Sequence, residues 1–81
     1  MGYQEFRATC LEAINAVRPA LTAGQAADAE SAVAYDEPLI GAEYALDIAY
    51  KRGYPIPDEV STQMKALGWK PPTRIRAASA R

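Results

Sequence analysis

Prolines and glycines punctuate this chain at short intervals, and the stretches between them are helical in period. Pro19, Pro38, Pro55, Pro57 and the Pro71-Pro72 pair interrupt the sequence, with Gly53 and Gly68 at two further ends. Proline removes a backbone donor and disfavours a helical residue before it, so no helix runs through these points. No stretch alternates with period two between hairpin signals, and no internal repeat is present, so a sheet is not expected. The pattern predicts an all-α chain. Residues 1–69 should form a compact three- to four-helix bundle, and residues 70–81 a basic, flexible tail.

The first stretch, Tyr3 to Arg18, places Tyr3, Phe6, Cys10, Ile14 and Val17 at helical spacing, with Gln4, Glu5, Thr9, Glu12 and Asn15 opposite. Arg7 and Arg18 fall at the edge of this apolar arc, where their long stems can cover the core. The second, Thr22 to Asp36, opens on Thr22 with Gln25 three residues later, a capping-box pattern. Alanine dominates it and only Val33 and Tyr35 are large, so it should pack closely through small side chains. The third, Pro38 to Arg52, is the most apolar. Leu39, Ala42, Leu46, Ala49 and Tyr50 line one side and Ile40, Tyr44 and Ile48 another. Only a narrow polar stripe remains, Glu43-Asp47-Lys51, which marks a central helix. Asp58 and Glu59 then open a fourth helix with the stripe Val60, Met64 and Leu67. Gly68 ends it, and Trp69 is placed to fold back over the helix ends.

Composition limits the chemistry. Seventeen alanines stand against fourteen Val, Ile, Leu and Phe, so the five tyrosines and Trp69 must supply bulk to a small core. The absence of histidine excludes Ser-His-Asp and Cys-His pairs and every His-containing zinc site. A single cysteine excludes an internal disulfide or a CxxC motif. Cys10 lies between Phe6 and Ile14 and reads as a small buried hydrophobe. Glu43 and Asp47, one turn apart with Lys51 a turn further on, read as a solvated face rather than a catalytic carboxylate pair. No EF-hand spacing occurs. No enzyme, cofactor or metal is expected, and neither a spanning segment nor a signal peptide is seen, which fits a cytoplasmic protein.

Charge is unevenly spread. Residues 1–69 hold ten acids and five bases, whereas 70–81 hold four bases and no acid. Between residues 19 and 50 stand Asp28, Glu30, Asp36, Glu37, Glu43 and Asp47 without one base. An acidic body argues against nucleic acid and for a basic protein partner. The tail, with Lys70, Arg74, Arg76 and Arg81, would neutralise few phosphates.

The stretch Asp36-Glu37-Pro38-Leu39-Ile40-Gly41-Ala42-Glu43-Tyr44-Ala45-Leu46-Asp47-Ile48-Ala49, followed by Gly53-Tyr54-Pro55-Ile56-Pro57-Asp58-Glu59-Val60, resembles the MafI-type immunity proteins. It is also similar to small helical immunity proteins of contact-dependent inhibition systems, and the likeness spans residues 22–67. Pro38, where an aromatic or polar residue is more usual, and the basic tail depart from that pattern. The resemblance implies an antitoxin that binds a secreted toxin, often a nuclease. A nuclease groove is positively charged, so an acidic face suits its inhibitor. The residues expected at the interface are Asp36, Glu37, Glu43 and Asp47, with Tyr44 as an anchor at the rim. A monomer or small homo-oligomer is expected. The alternative is a structural or phage-type adaptor that assembles through alanine-rich helix faces.

Overall fold

A computed structural model describes residues 2–72. Four helices follow one another: α1 (Tyr3–Val17), α2 (Ala23–Ala34), α3 (Pro38–Lys51) and α4 (Asp58–Ala66), with a 3-10 turn at Arg18–Ala20. No strand occurs among the described residues. The all-α bundle predicted is the architecture found. The tail is described only as far as Pro72, and residues 73–81 lie outside the described residues.

The third helix is central, as its composition predicts. It packs against both α1 and α2, while α4 lies on α1. Pro38 opens α3 at its first turn, where the missing N–H costs nothing. Its buried residues, Pro38, Gly41, Ala42, Ala45, Leu46 and Ala49, are mostly small. Their size sets the helix spacing. A Cβ on Gly41 would stand 2.4 Å from the Ala29 carbonyl oxygen and 3.2 Å from the Ala32 Cβ. The α2–α3 crossing is therefore a backbone-on-backbone contact that only glycine permits. Bulk comes from Cys10, Ile14 and Val17 of α1, with Val33, Leu46, Met64 and Trp69.

The same device ends α2, α3 and α4. In each, the residue after the C-cap has positive φ, and the next N–H reaches back to a carbonyl in the last turn. Gly53 (φ 74°) turns the chain so that the Tyr54 N–H bonds the Ala49 carbonyl at 3.0 Å. Gly68 (φ 107°) does the same for Trp69 and Met64 at 2.9 Å. At the end of α2 the position belongs to Asp36 (φ 64°), with Glu37 bonding Ala32 at 2.8 Å. The start of α2 is capped as its sequence predicts. Thr22 Oγ1 accepts from the Gln25 N–H at 3.0 Å, and Gln25 Oε1 accepts from the Thr22 N–H at 2.9 Å.

Gly68 turns Trp69 back onto the bundle, where the ring is 3% exposed. Its indole N–H donates to Asp47 Oδ1 at 2.9 Å, and its ring meets Tyr50 edge-on at 6.4 Å between centroids. The plug expected at Trp69 is thus in place, and it joins the end of α4 to α3. Arg52 fastens the far end of α3, donating to the Ala20 carbonyl and to Gln25 Oε1. Arg18 was expected to cover the core with its stem. It is half-exposed, and its guanidinium pairs with Glu30 and Asn15, a surface contact worth at most about 1 kcal/mol.

Candidate partner-binding face

Large apolar side chains are scarce in this chain, so those left at the surface are informative. Among the described residues four are exposed: Tyr35 at 80%, Ile40 at 55%, Tyr3 at 48% and Tyr44 at 37%. The helical projection placed Tyr3 in the apolar arc of α1 and Ile40 and Tyr44 on an apolar side of α3. The bundle instead covers α3 from the Gly41-Ala45 and Ala42-Leu46-Ala49 sides. Ile40 and Tyr44, one turn apart, then share the uncovered face with Lys51. Tyr35 is the C-cap of α2, beyond the last turn that α3 covers.

Tyr3, Tyr35 and Ile40 stand where α1 begins, α2 ends and α3 begins, beside Asp36 and Glu37, while Tyr44 faces Asp28 half-way along α3 and α2. The Tyr3 hydroxyl donates to Asp36 Oδ1 at 2.9 Å, tying the start of α1 to the α2–α3 turn. The Tyr44 hydroxyl donates to Asp28 Oδ2 at 3.4 Å, tying α3 to α2. Chiefly through its hydrogen bond to Asp36, the Tyr3 phenol is held above its ordinary pKa, so it stays a donor. Asp36, Glu37 and Asp28 are all exposed. Arg7, one turn after Tyr3 and half-buried, is the nearest base on α1.

Asp36 is the most telling of these residues. It occupies a left-handed position that the ends of α3 and α4 give to glycine. A side chain there costs about 1 kcal/mol, less for Asp than for most. What the carboxylate gains is its contact with Tyr3. The Asp36 side chain thus supplies a surface contact at some expense to the turn.

Not all of the expected site residues belong to this face. Asp36, Glu37 and Tyr44 do. Glu43 and Asp47 are half-buried rather than solvated, and of the stripe Glu43-Asp47-Lys51 only Lys51 is exposed. Asp47 is committed to the Trp69 indole. Glu43 faces α1: burial first, then the Glu43 charge, pushes the Cys10 thiol above its ordinary pKa. Cys10 itself is fully buried, as expected. The sequence counts Asp28 in the acidic middle without singling it out, and it does not place Tyr3, Tyr35 and Ile40 on a partner-binding face. Tyr35 carried a usable signal, since an aromatic directly before an Asp-Glu-Pro turn has no further helical turn to pack beneath it.

A shallow cleft of about 350 Å³ lies at the other end of α3, against α4. Tyr50, Tyr54, Ile56 and Trp69 form its apolar wall, and Asp58 and Lys65 stand on the α4 side. Pro71 also lines it. Among the described residues no group of three Cys, Asp or Glu side chains could hold a metal ion, and no helix is long and apolar enough to cross a membrane. Comparison with known protein families, with curated proteins and with solved structures finds no match.

Proposed function

We propose that this chain is a non-catalytic binding protein that engages a basic protein through the Tyr3–Tyr35–Ile40–Tyr44 face, as an immunity protein does toward its toxin. The observation that carries the reading is the placement of three tyrosines and an isoleucine, all exposed, among Asp28, Asp36 and Glu37. Tyrosine anchors ringed by charge are the make-up of an interface centre. The acids would speed encounter with a cationic surface and disfavour acidic partners. The resemblance of residues 22–67 to immunity proteins supplies the biological setting, a toxin whose basic substrate groove is blocked.

The adaptor alternative relies on alanine-rich faces for assembly. Ala26 and Ala29 of α2 are buried, with Ala29 directly beneath Gly41, so much of that small face is used within the chain. Sizing chromatography separates the two readings. A monomer that forms a one-to-one complex with a basic toxin domain supports the binding protein. A stable homo-oligomer indifferent to such a domain supports the adaptor.

A further inference from the structure

We propose that this face takes guanidinium groups, so that its partner docks with arginines rather than lysines; the proposal rests on the binding reading above. Its basis is a repeated unit. Tyr3 with Asp36, and Tyr44 with Asp28, each join an exposed phenol ring to an exposed carboxylate by one hydrogen bond. In both pairs the phenol engages a single carboxylate oxygen, Oδ1 of Asp36 and Oδ2 of Asp28. An ionised carboxylate accepts at about four lone-pair sites, so each retains capacity for a further donor. A ring face then stands beside a carboxylate, and the hydroxyl bond holds the two together.

A guanidinium matches both halves of that unit. Its planar fork donates to a carboxylate while its face stacks on an aromatic ring. A lysine ammonium is a compact, strongly hydrated point charge and can satisfy the carboxylate alone. Ile40, exposed one turn before Tyr44, offers apolar surface to the arginine stem. Three exposed acids, Asp28, Asp36 and Glu37, stand here against one nearby base, Arg7 beside Tyr3, so the balance favours a cation, and Arg18 is already paired with Glu30. Lys51 and Arg52 lie at the opposite end of α3.

The test uses the full chain, isotopically labelled, titrated with hexa-arginine and with hexa-lysine and followed by amide chemical shifts. The expected result is shift changes centred on Tyr3, Asp28, Asp36 and Tyr44, with hexa-arginine binding roughly two- to fivefold tighter per ring engaged. Tyr3→Leu and Tyr44→Leu should abolish that preference while weak binding of both peptides persists. An unchanged amide spectrum elsewhere shows that each variant is folded. Equal affinity for the two peptides at this face overturns the guanidinium proposal and leaves the acidic-face reading standing. Shift changes that avoid this face, or none with either peptide, overturn both.

Discussion

Gly41→Ala separates tertiary packing from helix propensity, because the two act in opposite directions. In a helix interior, alanine is favoured over glycine by about 1 kcal/mol, so propensity alone would stabilise α3. The new Cβ would lie 2.4 Å from the Ala29 carbonyl oxygen, where ordinary contact begins at 3.4 Å. The helices must therefore part by about 1 Å, and the obstacle is backbone, which cannot rotate away. Overpacking costs about 1–3 kcal/mol, and a backbone clash belongs at the upper end. The net expectation is a loss of about 2 kcal/mol, which in a domain of this size lowers Tm by about 8–16 °C. Circular dichroism at 222 nm through thermal and urea unfolding reads this directly. Gly24→Ala is the matched control, since the nearest atom to its Cβ is Thr22 Oγ1 at 3.9 Å. It should be neutral or stabilising. If Gly41→Ala behaved as Gly24→Ala does, the close α2–α3 crossing would be wrong.

Three further outcomes follow from individual contacts. Asp47→Ala leaves the buried Trp69 N–H without its acceptor and should cost about 1–3 kcal/mol in urea unfolding, with tryptophan emission shifted to the red; Asp47 acting only as a solvated surface acid would give no change. Asp36→Gly relieves the left-handed side chain but loses the Tyr3 contact, so stability should move by less than about 1 kcal/mol while binding at this face weakens; unaltered binding would remove Asp36 from the interface. Cys10 should resist a thiol reagent at pH 8 until the chain unfolds. Its folded pKa lies above the ordinary 9.0. The associated stability is therefore present below pH 9.0 and is lost as pH rises from there toward the folded value. Cys10→Ala should flatten that alkaline loss, as measured by urea midpoints at pH 8 and pH 10.

The helices were legible because their limits are chemical. Pro38 and the Thr22–Gln25 pair fix two starts, and Gly53 and Gly68 fix two ends. The Trp69 plug was legible too, since a bulky residue directly after a helix-ending glycine has only the bundle to pack on. Which side of α3 faces outward was not legible. Its projection is apolar nearly all round, and the covered sides were decided by Gly41, whose lack of a side chain admits α2. A hydrophobicity count places glycine nowhere. Hence Ile40 and Tyr44, apolar by type, emerge at the surface, while Glu43 and Asp47, acidic by type, turn inward toward Cys10 and Trp69. The acidic turn was found from charge alone, but the tyrosines that give it an apolar centre come from α1 and α3 as well as α2. Only the tertiary fold brings them together.

The central claim is that the tyrosine and acid face at the start of α3 binds a basic protein. Its most direct measurement is the affinity of the parent and of a Tyr35→Ala, Glu37→Lys double variant for a basic toxin domain. Both side chains are exposed, and Glu37 is the N-cap of α3. The variant should therefore stay folded, with a stability loss of no more than about 1 kcal/mol from the reversed charge at the helix start. The account predicts one-to-one binding by the parent and a loss of at least about 2 kcal/mol, some thirtyfold, in the variant. Equal affinity of parent and variant for that domain would contradict it.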